Sequence, residues 1–180
     1  MRRMLAMAGA AALATGCAGI GHGRTAEPLA NATRARVVRD VDGDTLLVRV
    51  GGRSRYVRLA GIDSPESVRP GTPIECGAEA AARSLAHLAP AAAKVRLVAD
   101  PTQDRVDRYG RLLRYVERSG RDLGEAQIRR GSAEVYVYHP SGPFERARTY
   151  RAAEAHARAA DRGVFERCGG DFHRPLGDAQ

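Results

Sequence analysis

Among the acids and arginines of one short stretch of this chain, three carboxylates and one guanidinium stand where they could do chemistry together. Between Arg39 and Glu66 the sequence reads RDVDGDTLLVRVGGRSRYVRLAGIDSPE. Asp44, Arg58, Asp63 and Glu66 stand in it at the ends of apolar runs rather than inside a polar loop. Acids gathered at one place repel each other unless a cation joins them. A hard cation of the calcium kind takes roughly six to eight oxygen ligands and tolerates irregular geometry. A further carboxylate beside it can draw a proton from water, and a guanidinium offers a planar fork to phosphate oxygens. These are the parts that phosphodiester hydrolysis needs: the phosphate charge neutralised, water activated and developing charge held.

The flanking residues must bring these groups together. Leu46, Val48 and Val50 alternate with Leu47 and Arg49, and Tyr56, Arg58 and Ala60 alternate with Val57 and Leu59. This period of two predicts two strands. Gly51-Gly52 between them is a hairpin signal, because both central residues of a type I′ turn need positive φ. Folded back, the hairpin leaves Asp44 and Asp63 near one sheet edge. Asp40-x-Asp42-Gly43-Asp44 invites an EF-hand reading, but Thr45 stands where that loop needs glycine and Gly51 where it needs glutamate. Asp42-Gly43 is better read as a chain reversal that points Asp44 into the site.

Further strands are predicted over Thr33 to Val41, Lys94 to Ala99 and Leu112 to Glu117, with an extended run from Val135 to Tyr138. Helices are predicted over Glu75 to Leu88, Leu123 to Arg130 and Phe144 to Arg162, stopped by Pro90, Gly131 and Gly163. Ser67 to Ile74 and Asp100 to Gly110 are loops. The order fits an α+β fold, mainly β: a five-stranded Greek-key barrel of the OB-fold type with three packed helices. Such a barrel implies a nucleotide- or sugar-binding face and not, by itself, catalysis.

Three motifs extend the reading. Asp42 to Thr45 reads Asp-Gly-Asp-Thr, Arg58 to Glu66 reads Arg-Leu-x-x-Ile-Asp-Ser-Pro-Glu, and Asp107 to Arg111 reads Asp-Arg-Tyr-Gly-Arg. In this order they resemble the staphylococcal nuclease, or thermonuclease, family, from about Thr33 to Phe165. The resemblance implies the same barrel and a Ca²⁺ site made by Asp44, Asp63 and the backbone carbonyl of Ser64. The family often has threonine at that last position, but a carbonyl ligand does not depend on the side chain. It implies Glu66 as general base, and Arg58 and Arg111 as the pair that binds the scissile phosphate. Tyr109, Tyr136 and Tyr138, with Arg108 where lysine is commoner, would form a nucleotide pocket in which rings stack on a base. A short insertion around Ser141 to Phe144 departs from the family pattern at that rim. The implied activity is exported, calcium-dependent cleavage of DNA and RNA with low sequence specificity, leaving 3′-phosphates. Plainer readings stand beside these: a turn-capping Asp44, a strand-end Asp63, a surface Glu66, a solvated Arg58 and packing tyrosines. The alternative function is a non-catalytic OB-fold surface lipoprotein that binds nucleic acid. The joint presence of Asp44, Arg58, Asp63, Glu66 and Arg111 favours the enzyme.

Composition sets the compartment and partners. The 180 residues suit one domain, and 43% of them are hydrophobic, enough for a modest core. Met1 to Ala18 has Arg2-Arg3, an apolar run from Met4 to Ala14 and then small residues, the pattern of a leader too short for a stable membrane span. Residues 1–16 are read as a signal peptide, 17–32 as a tether, 33–168 as the nuclease domain and 169–180 as a tail. Losing Arg2 and Arg3 with the leader takes the formal charge from +8 to +6, which suits an anionic partner or, more blandly, an arginine-rich codon bias. Leu13 to Cys17 resembles a lipobox, in which Cys17 would carry lipid and provide the only membrane contact; an ordinary secretory peptide is the alternative. With Cys17 so used, Cys76 and Cys168 remain as an even pair that an oxidising compartment would join. There is no Cys-x-x-Cys or His-x-x-x-His spacing, which argues against a transition-metal site. The chain is expected to act as a monomer.

Overall fold

The computed structural model describes residues 32–67, 71, 73–137 and 143–177. Residues 1–31, which hold the leader, Cys17 and all of the tether but Ala32, lie outside these residues, as does Tyr138; Ala32 is already part of the first strand. The first strand, β1 (Ala32–Asp40), pairs antiparallel with β2 (Thr45–Val50), which pairs with β3 (Arg53–Leu59). The β2–β3 turn uses Gly51 and Gly52 at φ 55° and 76°, the conformation the dipeptide predicts. The short β4 (Ile62–Asp63) follows, then helix α1 (Ala78–Leu88), β5 (Lys94–Val98), β6 (Leu112–Arg118) and β7 (Arg121–Asp122). Helix α2 (Leu123–Arg129), strand β8 (Glu134–Val135), helix α3 (Ala147–Ala159) and the one-turn α4 (Val164–Arg167) complete the order.

Strand order in the main sheet is β3-β2-β1-β5-β6-β7, and parallel pairing of β3 with β6 closes it. The five long strands thus form the closed barrel, an OB-fold with three substantial helices packed on it. Inward residues of every long strand meet at the centre: Val37, Leu46, Val48, Val57, Leu59, Leu97 and Val116 are all buried. Each such side chain contributes about 1.5–3 kcal/mol on removal from water. Helix α1 covers one end of this core with Leu85 and Leu88, α2 with Leu123 and Ile128, and α3 with Tyr150 and Ala153. The α2 cap is Asp122, whose side chain accepts from the Gly124 and Glu125 N–H groups. Among the described residues no helix is long and apolar enough to cross a membrane.

Two helices are shorter than their apolar spacing predicts. Helix α1 starts at Ala78 because Gly77 sits at φ 88° and the residues before it are claimed by the chain's other end. The Cys76 N–H donates to the Arg174 carbonyl (2.7 Å), and Glu75 bridges Pro175. Helix α3 ends near Ala159, and Asp161 at φ 44° separates it from α4. A second small core of Ala157, Val164, Phe165 and Phe172 surrounds a Cys76–Cys168 disulfide, with Cα atoms 6.0 Å apart. Residues 169–177, read as a tail, therefore lie against the domain.

Candidate active site

Asp44 ends the turn that enters β2. Its N–H donates to Asp42 Oδ1 (3.0 Å), an Asx-type reversal that aims its own carboxylate at the sheet edge. That carboxylate accepts from Thr45 Oγ1 (2.9 Å), from the Ser64 N–H (3.0 Å) and from Ser64 Oγ (3.1 Å). Asp44 is only 2% exposed. Gly43 makes this fit possible: a Cβ there would stand 2.6 Å from Ser64 Oγ and 2.7 Å from Ala81 Cβ. Gln127, fully buried, holds the same turn to the helices by donating to the Gly43 carbonyl (2.7 Å) and the Ala81 carbonyl (3.0 Å).

Arg58, near the end of β3, lies between the two aspartates. It forms an ion pair with Asp44 through Nη1, and its Nη2 donates to Asp63 Oδ1 (2.5 Å) and the Ile62 carbonyl (3.1 Å). Ser64-Pro65-Glu66 follows as a pinned strap. The Glu66 N–H donates to Glu75 Oε2 (2.6 Å), and the Glu75 N–H donates back to the Glu66 carbonyl (3.0 Å). The β3–β6 pairing sets Arg58 opposite Leu113 and so brings Arg111 to the same end of the barrel. Arg111 is fixed by Asp107, which accepts from its Nε (2.6 Å), its N–H (2.9 Å) and the Tyr109 N–H (2.9 Å). Burial alone would raise the Asp107 carboxyl, but these hydrogen bonds outweigh it and hold it below its usual value.

These residues share one cleft of about 260 Å³, lined by Asp42, Asp44, Arg58, Asp63, Ser64, Pro65, Glu66, Glu75, Arg111 and His173. All six predicted metal and catalytic positions are in that lining. Arg108 and Tyr109 stand outside it: Tyr109 is 67% exposed, Arg108 lies 4.8 Å over its ring, and Arg111 lies 5.4 Å from it. Tyr136 is 41% exposed, with its N–H donating to the Gly61 carbonyl (3.0 Å). Tyr138 is not among the described residues. A wider cleft of about 690 Å³, including Arg121, Arg129, Arg130 and Arg162, lies beyond the other end of β6 and holds none of this set.

Sequence reasoning missed four groups. Asp42 was read only as part of the chain reversal and not as a lining carboxylate, and Asp107 only as a motif letter. Glu75 was assigned to a helix, yet it is buried and orders the Glu66 strap. His173 came from the tail, and no local signal marks it; its ring lies 3.4 Å from Glu75, 3.3 Å from Glu134 and 3.8 Å from Asp63.

The cleft lining counts five carboxylates against two guanidiniums. Burial pushes the Asp42 carboxyl up, against the opposing charges of Arg58 and Arg111. An anion would enter such a cleft only with added positive charge. Among the described residues no three His, Cys, Asp or Glu side chains form a complete metal cage. The donor set nevertheless suits a hard cation: two carboxylates and a carbonyl on adjoining segments, with room for water and substrate oxygens.

Residues 56–167 match the family described as Staphylococcal nuclease homologue. The chain belongs to the staphylococcal nuclease family. It is 36% identical to the Thermonuclease of Staphylococcus hyicus over 117 residues, 64% of this chain and 67% of that one. It is 31% identical to Endonuclease YncB of Bacillus subtilis (strain 168) over 153 residues, 84% of this chain and 69% of that one. With the Thermonuclease of Staphylococcus intermedius it shares 34% identity over 109 residues, 60% of this chain and 62% of that one.

Proposed function

We propose that this chain is an exported, calcium-dependent nuclease that hydrolyses DNA and RNA phosphodiester bonds with little sequence preference and leaves 3′-phosphates. Family membership supports the nuclease class. The observation that carries the reading is that Asp44, Arg58, Asp63, Ser64, Glu66 and Arg111 line one cleft. Asp44, Asp63 and the Ser64 carbonyl would hold Ca²⁺, which when bound neutralises phosphate charge. Glu66 takes the proton of the attacking water. Arg58 and Arg111 hold the phosphate oxygens and meet the charge that develops on them. Asp107 keeps the Arg111 fork aimed into the cleft. Arg108, Tyr109, Tyr136 and Tyr138 contact the flanking nucleotide, by stacking and by hydroxyl or guanidinium contacts.

The proposed layout is a leader at 1–16, a tether at 17–32, the nuclease domain at 33–168 and a tail at 169–180. Export and a lipid on Cys17 rest on the leader sequence alone. The protein acts as a monomer. The deciding experiment incubates the purified chain with plasmid DNA in Ca²⁺, in Mg²⁺ and in chelator. Cleavage is expected with Ca²⁺ and not in chelator, and only weakly with Mg²⁺, which demands a stricter octahedral shell. Full activity in chelator removes the calcium assignment; binding without cleavage in Ca²⁺ favours a nucleic-acid-binding module.

A further inference from the structure

The outer face of the barrel carries a feature that the cleft does not use. Arg36 on β1 lies directly opposite Arg49 on β2 and directly opposite Lys94 on β5. The neighbours of these cations along each strand, Ala35, Val37, Val48 and Val95, are buried, so all three point outward. Neighbouring strands lie about 4.8 Å apart, so three positive charges stand in a row within about 10 Å. Like charges directly opposite one another destabilise a sheet. Among the described residues no ion pair relieves them: Arg36 Nη1 donates to the neutral Ala92 carbonyl (3.0 Å), and Arg49 and Lys94 have no carboxylate partner there. A neutral carbonyl orients a guanidinium without cancelling its charge.

The same outward face leads to the cleft. Arg49 pairs with Ser54, Leu47 with Tyr56 and Thr45 with Arg58, so Arg58 and the cationic row share one surface of β2 and β3. Ser54, the partner of Arg49, lies four residues along β3 from Arg58, so the Arg49 end of the row stands about 13 Å from Arg58 along the strand, the reach of a few nucleotides. Tyr56, 46% exposed, lies between them as a ring on which a base can stack. We propose that Arg36, Arg49 and Lys94, with Tyr56, form an extended track that holds the backbone phosphates of single-stranded nucleic acid leading into or out of the cleft. The proposal rests on the nuclease reading for the identity of the polyanion. It adds a second subsite on the barrel's side that would make longer strands bind more tightly than dinucleotides.

The test compares the full chain carrying Arg36→Ser, Arg49→Ser and Lys94→Ser together with a control carrying Arg83→Ser, Arg148→Ser and Arg151→Ser on the helices. Binding of a labelled dodecathymidylate is measured from low to high salt in a Glu66→Gln background. Each lost phosphate contact lowers the magnitude of the salt slope by about 0.7, so the track triple should lose about two units and the control much less. Hydrolysis of a dinucleotide by the same triples with Glu66 intact should keep its kcat and KM. The thermal midpoint of the track triple should equal or exceed the parent's, because repulsion has been removed. An unchanged slope overturns the track, and if the dinucleotide is still hydrolysed the nuclease reading survives. Loss of both dodecamer binding and dinucleotide hydrolysis with a lowered midpoint makes the row structural and also overturns it. Loss of binding to phosphatidylglycerol vesicles with dodecamer binding kept assigns the row to a membrane surface instead. Row-dependent dodecamer binding by a chain that hydrolyses nothing supports the track and sinks the nuclease reading.

Discussion

Glu66 is anchored through its backbone, with its N–H and carbonyl both engaged by Glu75, and a glutamine of the same shape keeps both of these contacts. Glu66→Gln should therefore fold normally, bind nucleotide as the parent does and turn over roughly 10²–10⁴-fold more slowly, the usual worth of a positioned base. An unchanged rate would place the base elsewhere. The two arginines answer to a different test. Arg111 already spends its Nε on Asp107, leaving its terminal nitrogens for the cleft, while Arg58 is shared by Asp44 and Asp63. Lysine cannot keep a carboxylate contact and a paired in-plane phosphate contact at once. At saturating DNA with Ca²⁺, Arg58→Lys and Arg111→Lys should each lose on the order of 10²-fold in turnover. The exposed Arg151→Lys should lose none. Parental turnover in all three variants would end the catalytic assignment of the pair.

At the scale of elements, the turn before β2 is the tightest joint in the site. Gly43→Ala would drive a methyl into Ser64 Oγ and Ala81 Cβ, and overpacking of this kind costs about 1–3 kcal/mol. The expected result is a thermal midpoint lowered by several degrees together with reduced cleavage, since the same shift displaces Asp44; a variant that melts like the parent would show that the turn can yield. The glycine hairpin and the long strands were legible because period-two burial leaves its mark on any run of five residues or more. The strands β4, β7 and β8 have two residues each and leave no period to read. The start of α1 was misplaced for a different reason. Ala78, Leu85 and Leu88 show the helix, but Glu75 and Cys76 are held by Pro175 and Arg174, a hundred residues away in the chain. The site divides the same way. Asp44, Arg58, Asp63, Ser64 and Glu66 were readable as a group because one hairpin and its exit carry them. Arg111 was readable from its motif. His173 reaches the cleft only through the folded tail, and no local pattern reports such a contact.

For the whole molecule, the Cys76–Cys168 bridge joins the entry of α1 to the chain beyond α4, across 92 residues. Restricting so long a loop in the unfolded chain is worth about 2–4 kcal/mol. The bridge also lies next to the segment that carries Glu75 and close to the segment that carries His173. Replacing both cysteines by serine should lower the thermal midpoint by several degrees, and a digest of the parent without reductant should give linked peptides by mass spectrometry. Free thiols in the parent, or an unshifted midpoint in the double variant, would remove the bridge from the account of stability.

Barrel closure also sets an order in time. Asp44 and Arg58 belong to one hairpin, whose strands can meet within microseconds because few residues separate them. Arg111 joins them only when β3 pairs with β6, which sets Val57 opposite Leu112, a residue far along the chain. Such distant pairings are the slow events of folding, because loop entropy is lost before any contact offsets it. A half-folded chain can thus hold its aspartates and one arginine while lacking the second. The pairing that closes the barrel is also the one that brings the second arginine to the first, so barrel closure and assembly of the arginine pair are one event.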